Sequence, residues 1–221
     1  MQQIVLVGLS GAGKTTVAHL VAQALGWRAL DTDHLVEDRA GQTISDLFGR
    51  EGEAAFRALD RAALTQALAE DRVVLATGGG IILDPSNRVQ LQSTFTVWLH
   101  APVATLVERL AATADRPLLA GQPERTLNDM LTRRSPLYAA VADWVITTSA
   151  LTPAEIADEI VRAYQRRQQA LGTGETQVVT PGGSYAVRAG HGVWQELPQR
   201  LDHLVPHGRA WLVTDRAIEP L

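Results

Sequence analysis

"IVLVGLSGAGKTT", residues 4 to 16, is an apolar run that breaks into a glycine-rich turn and resumes with helical spacing. Ile4 to Val7 reads as a buried strand. Beyond Gly13 the apolar positions Val17, Leu20, Val21, Ala24 and Leu25 share one helical face, and Gly26 ends it. Between the two lies Gly8-x-x-x-x-Gly13-Lys14-Thr15, the spacing of a phosphate-binding loop, in the strand-to-helix setting that such a loop requires. Gly8, Gly11 and Gly13 let the backbone turn its N–H groups inward, and the helix N-terminus adds positive potential. This spacing directs Lys14 to the β- and γ-phosphates and the Thr15 hydroxyl to Mg²⁺.

Outward from the loop, short apolar strands alternate with helices. "WRALDTD" (27–33) reads as a second strand ending in carboxylates, and residues 51–70 as a helix with Phe56, Ala63, Leu64 and Leu68 inward. "VVLATGGG" (73–80) is a third strand running into a triple glycine. "TFTVWLH" (94–100) is a fourth, followed by a helix from Pro102. Residues 114–126 have Pro, Gly and charge without a period and read as a loop. A helix then runs into "RRSPLY", and "DWVITT" (143–148) is a fifth strand. Thr152-Pro153-Ala154-Glu155 is a capping box that opens a helix lasting to about Leu171. The alternation predicts an α/β fold, a three-layer sandwich around a five-stranded parallel sheet with right-handed crossovers.

After Leu171 the pattern changes. "GTGET" (172–176) reads as a linker, and "QVVTPGGSYAVRAG" as a hairpin around Pro-Gly-Gly. "RAWLVTDRA" (209–217) has the pattern of another buried strand. The expected organisation is a first domain over 1–171, a linker at 172–176, and the β-rich start of a second domain, cut short, over 177–221.

Composition narrows the function. The chain has 221 residues, no cysteine, and 24 acidic against 20 basic side chains. Absence of cysteine removes disulfides and thiolate metal sites and fits a reducing compartment. The N-terminus enters a strand directly and no apolar run is long enough for a membrane helix, so a cytoplasmic location is expected. A net charge of −4 gives no basic face for nucleic acid. Of the 20 Lys and Arg residues, Lys14 is the one lysine. It stands where a compact ammonium suits a phosphate best.

The phosphate acceptor must be sought among the other polar residues. Asp31 and Asp33 flank Thr32 where the second strand ends, the edge at which parallel sheets bind ligands. A helix N-cap is one reading of such an aspartate. The other divides the labour, one acid holding Mg²⁺ through water and the other orienting an acceptor hydroxyl. Arg57 is open to a local pair with Asp60, Arg116 to plain solvent exposure, and Arg134 to a charge near a helix end. Gly78-Gly79-Gly80 after a strand suggests a backbone that a ligand approaches closely.

Taken together, "GLSGAGKTT", "DTD", "FRALD", "TGGG", "RPLL" and "RRSPLY", in this order and spacing, resemble shikimate kinase over roughly residues 1–170. The resemblance implies a P-loop kinase of aromatic amino acid biosynthesis that uses ATP and Mg²⁺ to phosphorylate the 3-hydroxyl of shikimate. It implies Asp33, Lys14 and Arg116 as catalytic groups, with Arg116 on the lid. Nucleotide contacts fall on Gly11, Ala12, Gly13, Lys14, Thr15, Thr16, Arg109, Arg116 and Pro153, with Arg109 and Pro153 sandwiching the adenine. Substrate contacts fall on Asp33, Arg57, Gly78, Gly79, Gly80 and Arg134, and metal contacts on Thr15 and Asp31. Two departures stand out: Asp60 replaces the usual Glu, and Ser149-Ala150-Leu151 lacks the Arg that many relatives carry in the adenine loop. Residues 177–221 resemble the extreme N-terminus of 3-dehydroquinate synthase. This implies a bifunctional fusion whose missing remainder would take NAD and a divalent metal, with a monomeric kinase domain and a dimeric full-length fusion.

Rival readings have specific discriminators. A signalling GTPase reads guanine through Asn-Lys-x-Asp, which a chain whose one lysine is Lys14 does not contain. A gluconate kinase-like enzyme is the nearer alternative, but it has no need of two arginines for a carboxylate beside a triple glycine. His203-x-x-x-His207 has Pro206 between its histidines and no third ligand, so a zinc site is not inferred.

Overall fold

The computed structural model describes residues 1–111, 122–171, 174–180 and 183–189. Arg116, the strand expected at 209–217, and His203 and His207 lie outside the described residues. The chain divides into two units, Met1–Tyr164 and Gln165–Leu221.

In the first unit the central strand is β1 (Gln3–Val7), buried at every position. It is flanked by β3 (Val73–Ala76) and β4 (Phe95–His100), with β2 (Arg28–Asp31) and β5 (Trp144–Thr147) at the edges. All four pairings are parallel. The order β2-β3-β1-β4-β5 is the five-stranded sheet that the alternation predicts. Because β1 is buried on both faces, each of Ile4, Val5, Leu6 and Val7 packs a full side chain, and burial of such a side chain is worth about 1.5–3 kcal/mol.

Helix α1 (Lys14–Leu25) buries Val17, Ala18, Val21 and Ala22, and Gly26 at φ 67° caps it. Ala18 and Ala22 complete the inward face and Ala24 is exposed, because the face follows the i, i+4 rows from Lys14. The second strand stops at Asp31, not Asp33. The Asp31 side chain accepts the Asp33 N–H at 2.9 Å, so Thr32 and Asp33 begin a helix, α2 (Thr32–Ala40). Helix α3 (Ile44–Leu68) starts ahead of the expected residue 51. Gly52 breaks it at φ 82° and ψ 177°, so the apolar pattern read from 51 is its second limb. Val36, Leu47, Phe56 and Ala63 form a small core between α2 and α3, separate from the core around the sheet.

The third strand ends at Ala76. Thr77 leaves it with its hydroxyl donating to the Leu6 carbonyl at 2.9 Å, which turns the triple glycine out over the strand ends. A short 3-10 turn (Ile81–Leu83) and α4 (Pro85–Leu91) follow, then α5 (Val103–Ala111) after β4. Helix α6 (Pro123–Val141) opens on a proline inside the stretch read as loop. Helix α7 (Pro153–Leu171) has the predicted capping box. Glu155 accepts from the Thr152 N–H and hydroxyl at 2.8 and 2.7 Å, and the Glu155 N–H returns a bond of 3.3 Å. These bonds hold the Glu155 carboxyl below its ordinary range. In the second unit β6 (Gly174–Thr180) and β7 (Gly183–Ala189) pair antiparallel, Thr180 opposite Gly183. Residues 174–176 of the stretch read as a linker therefore already belong to the hairpin, paired with residues 187–189.

Candidate active site

The phosphate loop joins β1 to α1 through glycines held at positive φ, 142° at Gly8, 84° at Gly11 and 92° at Gly13. A Cβ on Gly8 would collide with the Leu99 carbonyl of β4, and one on Gly11 would meet Leu110 Cγ at 3.0 Å. The loop is therefore pressed against the neighbouring strand and α5. Lys14 is only 8% exposed, and its ammonium donates to the Leu9 carbonyl at 2.9 Å. The positive charge is thereby held inside the curve of the loop, the place to which phosphate oxygens come.

Asp31 is the helix cap of the first reading, and its other oxygen turns to the phosphate loop. Its Oδ1 caps α2, and its Oδ2 accepts the Thr15 hydroxyl at 2.8 Å. A hydroxyl and a carboxylate thus face each other at the mouth of the loop. Both are hard oxygen donors, the chemistry that a small divalent cation selects.

The remaining residues converge on the triple glycine. A Cβ on Gly78 would lie 2.7 Å from Asp33 Oδ1, and one on Gly80 would lie 2.5 Å from Arg57 Nη1. A Cβ on Gly79 would lie 3.4 Å from Gly8 O and from Ser10 N. The Gly79 carbonyl accepts from Arg134 Nη1 at 3.1 Å and from the Tyr138 hydroxyl at 2.5 Å. Lys14, Asp33, Arg57 and Arg134 therefore border one region at the carboxyl ends of β1, β2 and β3. Residues without side chains form its floor, so a ligand can approach the backbone directly.

Arg57 makes the local pair with Asp60 and further contacts along its own helix. Its Nε and Nη2 donate to Glu53 at 3.2 and 3.0 Å, its guanidinium lies 5.1 Å from the Phe56 ring centre, and its Nη1 is 3.6 Å from Asp60 Oδ2. Asp60 is 1% exposed, and its Oδ1 has no hydrogen-bond partner. Burial, reinforced by the negative charge of Asp33 and only partly opposed by Arg57, pushes the Asp60 carboxyl up to about 7. The folded state thus holds this proton more tightly than the unfolded chain. The associated stability is fully present below the ordinary carboxylate range and is lost as pH rises through about 7. Asp60→Asn, neutral throughout, is expected to flatten the fall in melting temperature between about pH 5 and pH 8. Parallel melting curves for the two proteins across that range would contradict this.

Arg109 joins the phosphate loop to the turn that follows β5. Its Nη1 donates to Thr148 Oγ1 at 3.0 Å, with Gly11 O at 3.5 Å, and its Nη2 donates to the Thr148 carbonyl at 2.9 Å. Thr148 begins a 3-10 turn (Thr148–Ala150), after which Pro153 opens α7 on the surface.

Two contributors escaped the sequence reading. Thr32, fully buried, accepts the Gly78 N–H at 2.9 Å and so anchors the triple glycine to α2. Its signal was its place between the two aspartates. Tyr138, also fully buried, stacks on Trp98 with centroids 5.6 Å apart and reaches Gly79. Its presence in "RRSPLY" was visible, but its burial was not.

Comparison with known proteins agrees with this geometry. The family model for shikimate kinase matches residues 10–165. A shikimate kinase from Caldanaerobacter subterraneus subsp. tengcongensis is 42% identical over 166 residues, 74% of this chain and 96% of that relative. The structure of shikimate kinase from Acinetobacter baumannii in complex with shikimate superposes with a TM-score of 0.72 at 38% identity, covering 76% of this chain and 95% of that one. A gluconokinase from Sinorhizobium meliloti covers 76% of this chain and 94% of its own, at a TM-score of 0.50 and 21% identity, a likeness of fold alone.

Proposed function

The chain belongs to the shikimate kinase family, and on that footing we propose that its cleft moves the γ-phosphoryl group of ATP onto the 3-hydroxyl of shikimate. The observation that carries this reading is the triple glycine, which touches the phosphate loop, Asp33, Arg57 and Arg134 at once. A phosphate-holding ammonium and two carboxylate-binding guanidiniums thus share one floor, and that floor suits a hydroxylated ring bearing a carboxylate.

In this reading Gly11 to Thr16 wrap the phosphates, and Lys14 offsets charge on the β- and γ-oxygens. Arg109 and Pro153 flank the adenine. Arg57 and Arg134 grip the substrate carboxylate, a task suited to rigid forks. Asp33 aligns the 3-hydroxyl and takes its proton as that oxygen bonds to the γ-phosphorus and the bond to the β–γ bridging oxygen breaks. Thr15, and Asp31 through water, would hold Mg²⁺, which when bound neutralises charge on the transferring phosphates. Arg116 is assigned to the transferring phosphoryl from the lid by resemblance.

A coupled assay with shikimate, gluconate and nucleoside monophosphates tests the proposal. Turnover is expected with shikimate. Preference for gluconate would instead support the gluconate kinase-like alternative. Cytoplasmic residence and a monomeric kinase unit belong to the same proposal. Among the described residues no helix is long and apolar enough to cross a membrane.

We further infer that residues 177–221 are the first part of a 3-dehydroquinate synthase-like domain within a fusion, supported by the residues quoted above and by the β6–β7 hairpin. NAD and a divalent metal would belong to the remainder of that domain. Removal of residues 172–221 is then expected to leave shikimate phosphorylation within about twofold. Loss of turnover on truncation would make the tail part of the kinase.

A further inference from the structure

Gly79 is held from two sides. Its Cα faces Gly8 and Ser10 of the phosphate loop, while its carbonyl is turned towards α6. Both donors to that oxygen come from α6 at i and i+4, so they sit one above the other on the same face. They differ in freedom. Tyr138 is fully buried, stacked on Trp98 at 25°, with Trp98 in turn edge-on to His100 at 5.4 Å. Arg134 is a long, partly exposed side chain with five N–H donors and a second task in the reading above.

We propose that Tyr138 is a positioning residue for capture of the substrate carboxylate: its hydroxyl keeps the Gly79 carbonyl satisfied when Arg134 turns from that carbonyl to the incoming anion. The proposal rests on the shikimate kinase reading of the cleft and adds a residue to it. The physical reason is the asymmetry of hydrogen bonding. A carbonyl accepts two hydrogen bonds, and loss of one is mild when the other remains. Loss of the last one leaves a polar atom stranded. With Tyr138 present, Arg134 leaves behind a carbonyl that is still bonded. Without the hydroxyl, Arg134 becomes the sole donor on the protein side, and the carbonyl competes with the substrate for the same guanidinium. Burial pushes the Tyr138 phenol up to about 12, so the group remains a donor throughout the range of an enzyme assay.

Tyr138→Phe in the full chain tests this, because it keeps the ring and its stack on Trp98 and removes one oxygen. With ATP saturating, KM for shikimate is expected to rise roughly tenfold, equivalent to about 1.4 kcal/mol. KM for ATP and kcat are expected to stay within about twofold. A second readout is independent of how much variant folds: the ratio of kcat/KM for shikimate to that for its analogue with a hydroxymethyl group in place of the carboxylate. That ratio is expected to fall roughly tenfold in Tyr138→Phe, since the analogue does not draw Arg134 from Gly79. An unchanged ratio with an active wild-type enzyme would overturn the proposal. A wild-type chain without shikimate turnover would overturn the underlying reading as well.

Discussion

Lys14→Met is expected to reduce kcat about a thousandfold while leaving KM for shikimate within a few-fold. The magnitude follows from removing a preorganised charge from the transferring phosphates, where loss of one electrostatic contact costs about 10²–10³ in rate. Methionine nearly matches the length of the lysine stem, so packing in the loop is retained. The Leu9 carbonyl, which accepts from Lys14 at 2.9 Å, also accepts the Ala12 N–H at 3.2 Å and keeps a partner. A change in melting temperature of only a few degrees is therefore expected. Steady-state kinetics beside a melting curve separate lost chemistry from lost fold. Turnover within threefold of wild type would remove the ammonium from the reaction.

The second large effect is expected at Asp33. Asp33→Asn keeps the shape and the capacity to hydrogen-bond but removes the charge and the basicity. If Asp33 takes the proton of the attacking hydroxyl, kcat falls about 10²–10⁴-fold. A separate consequence is electrostatic. The Asp33 charge is one of the causes that raise the Asp60 carboxyl. The substitution should therefore move the pH at which stability declines downward from about 7, towards the ordinary carboxylate range. Activity and the pH dependence of melting thus test the same side chain through different physics. Retained turnover with an unmoved stability profile would place Asp33 away from both the acceptor and Asp60.

What could be read in the sequence was what is local along the chain. The strand, the glycine turn and the first helix are contiguous, so the phosphate loop and its setting were legible from residues 4 to 25. The capping box at Thr152 was legible for the same reason. Helix α2 was not, because among its residues only Thr32 and Val36 are buried, and no apolar stripe marks it. The first limb of α3 was hidden by the break at Gly52, which divides the helical period. Asp31 could not be assigned between cap and site from spacing; one of its oxygens caps α2 and the other accepts from Thr15 of the phosphate loop. The proposed substrate side, Arg57 and Arg134 above all, was reached through family resemblance, since its members meet only after the chain has crossed the sheet. The burial of Asp60 and the reach of Tyr138 to Gly79 are tertiary properties that spacing does not encode.

The small core of Val36, Leu47, Phe56 and Ala63 has a thermodynamic consequence. Its four buried side chains contribute less than about 12 kcal/mol before chain entropy is subtracted, and Leu35, Ala40, Ile44 and Leu59 pack partly buried against them. Far more apolar surface is locked around β1. The layer made by α2 and the first limb of α3 is therefore expected to open at a lower free energy than the sheet. Asp33 rides on α2 in that layer, whereas Lys14 and the triple glycine are anchored to the sheet. One wall of the cleft is thus expected to breathe against a rigid one, with amide hydrogens of α2 exchanging before those of β1 in a hydrogen-exchange measurement.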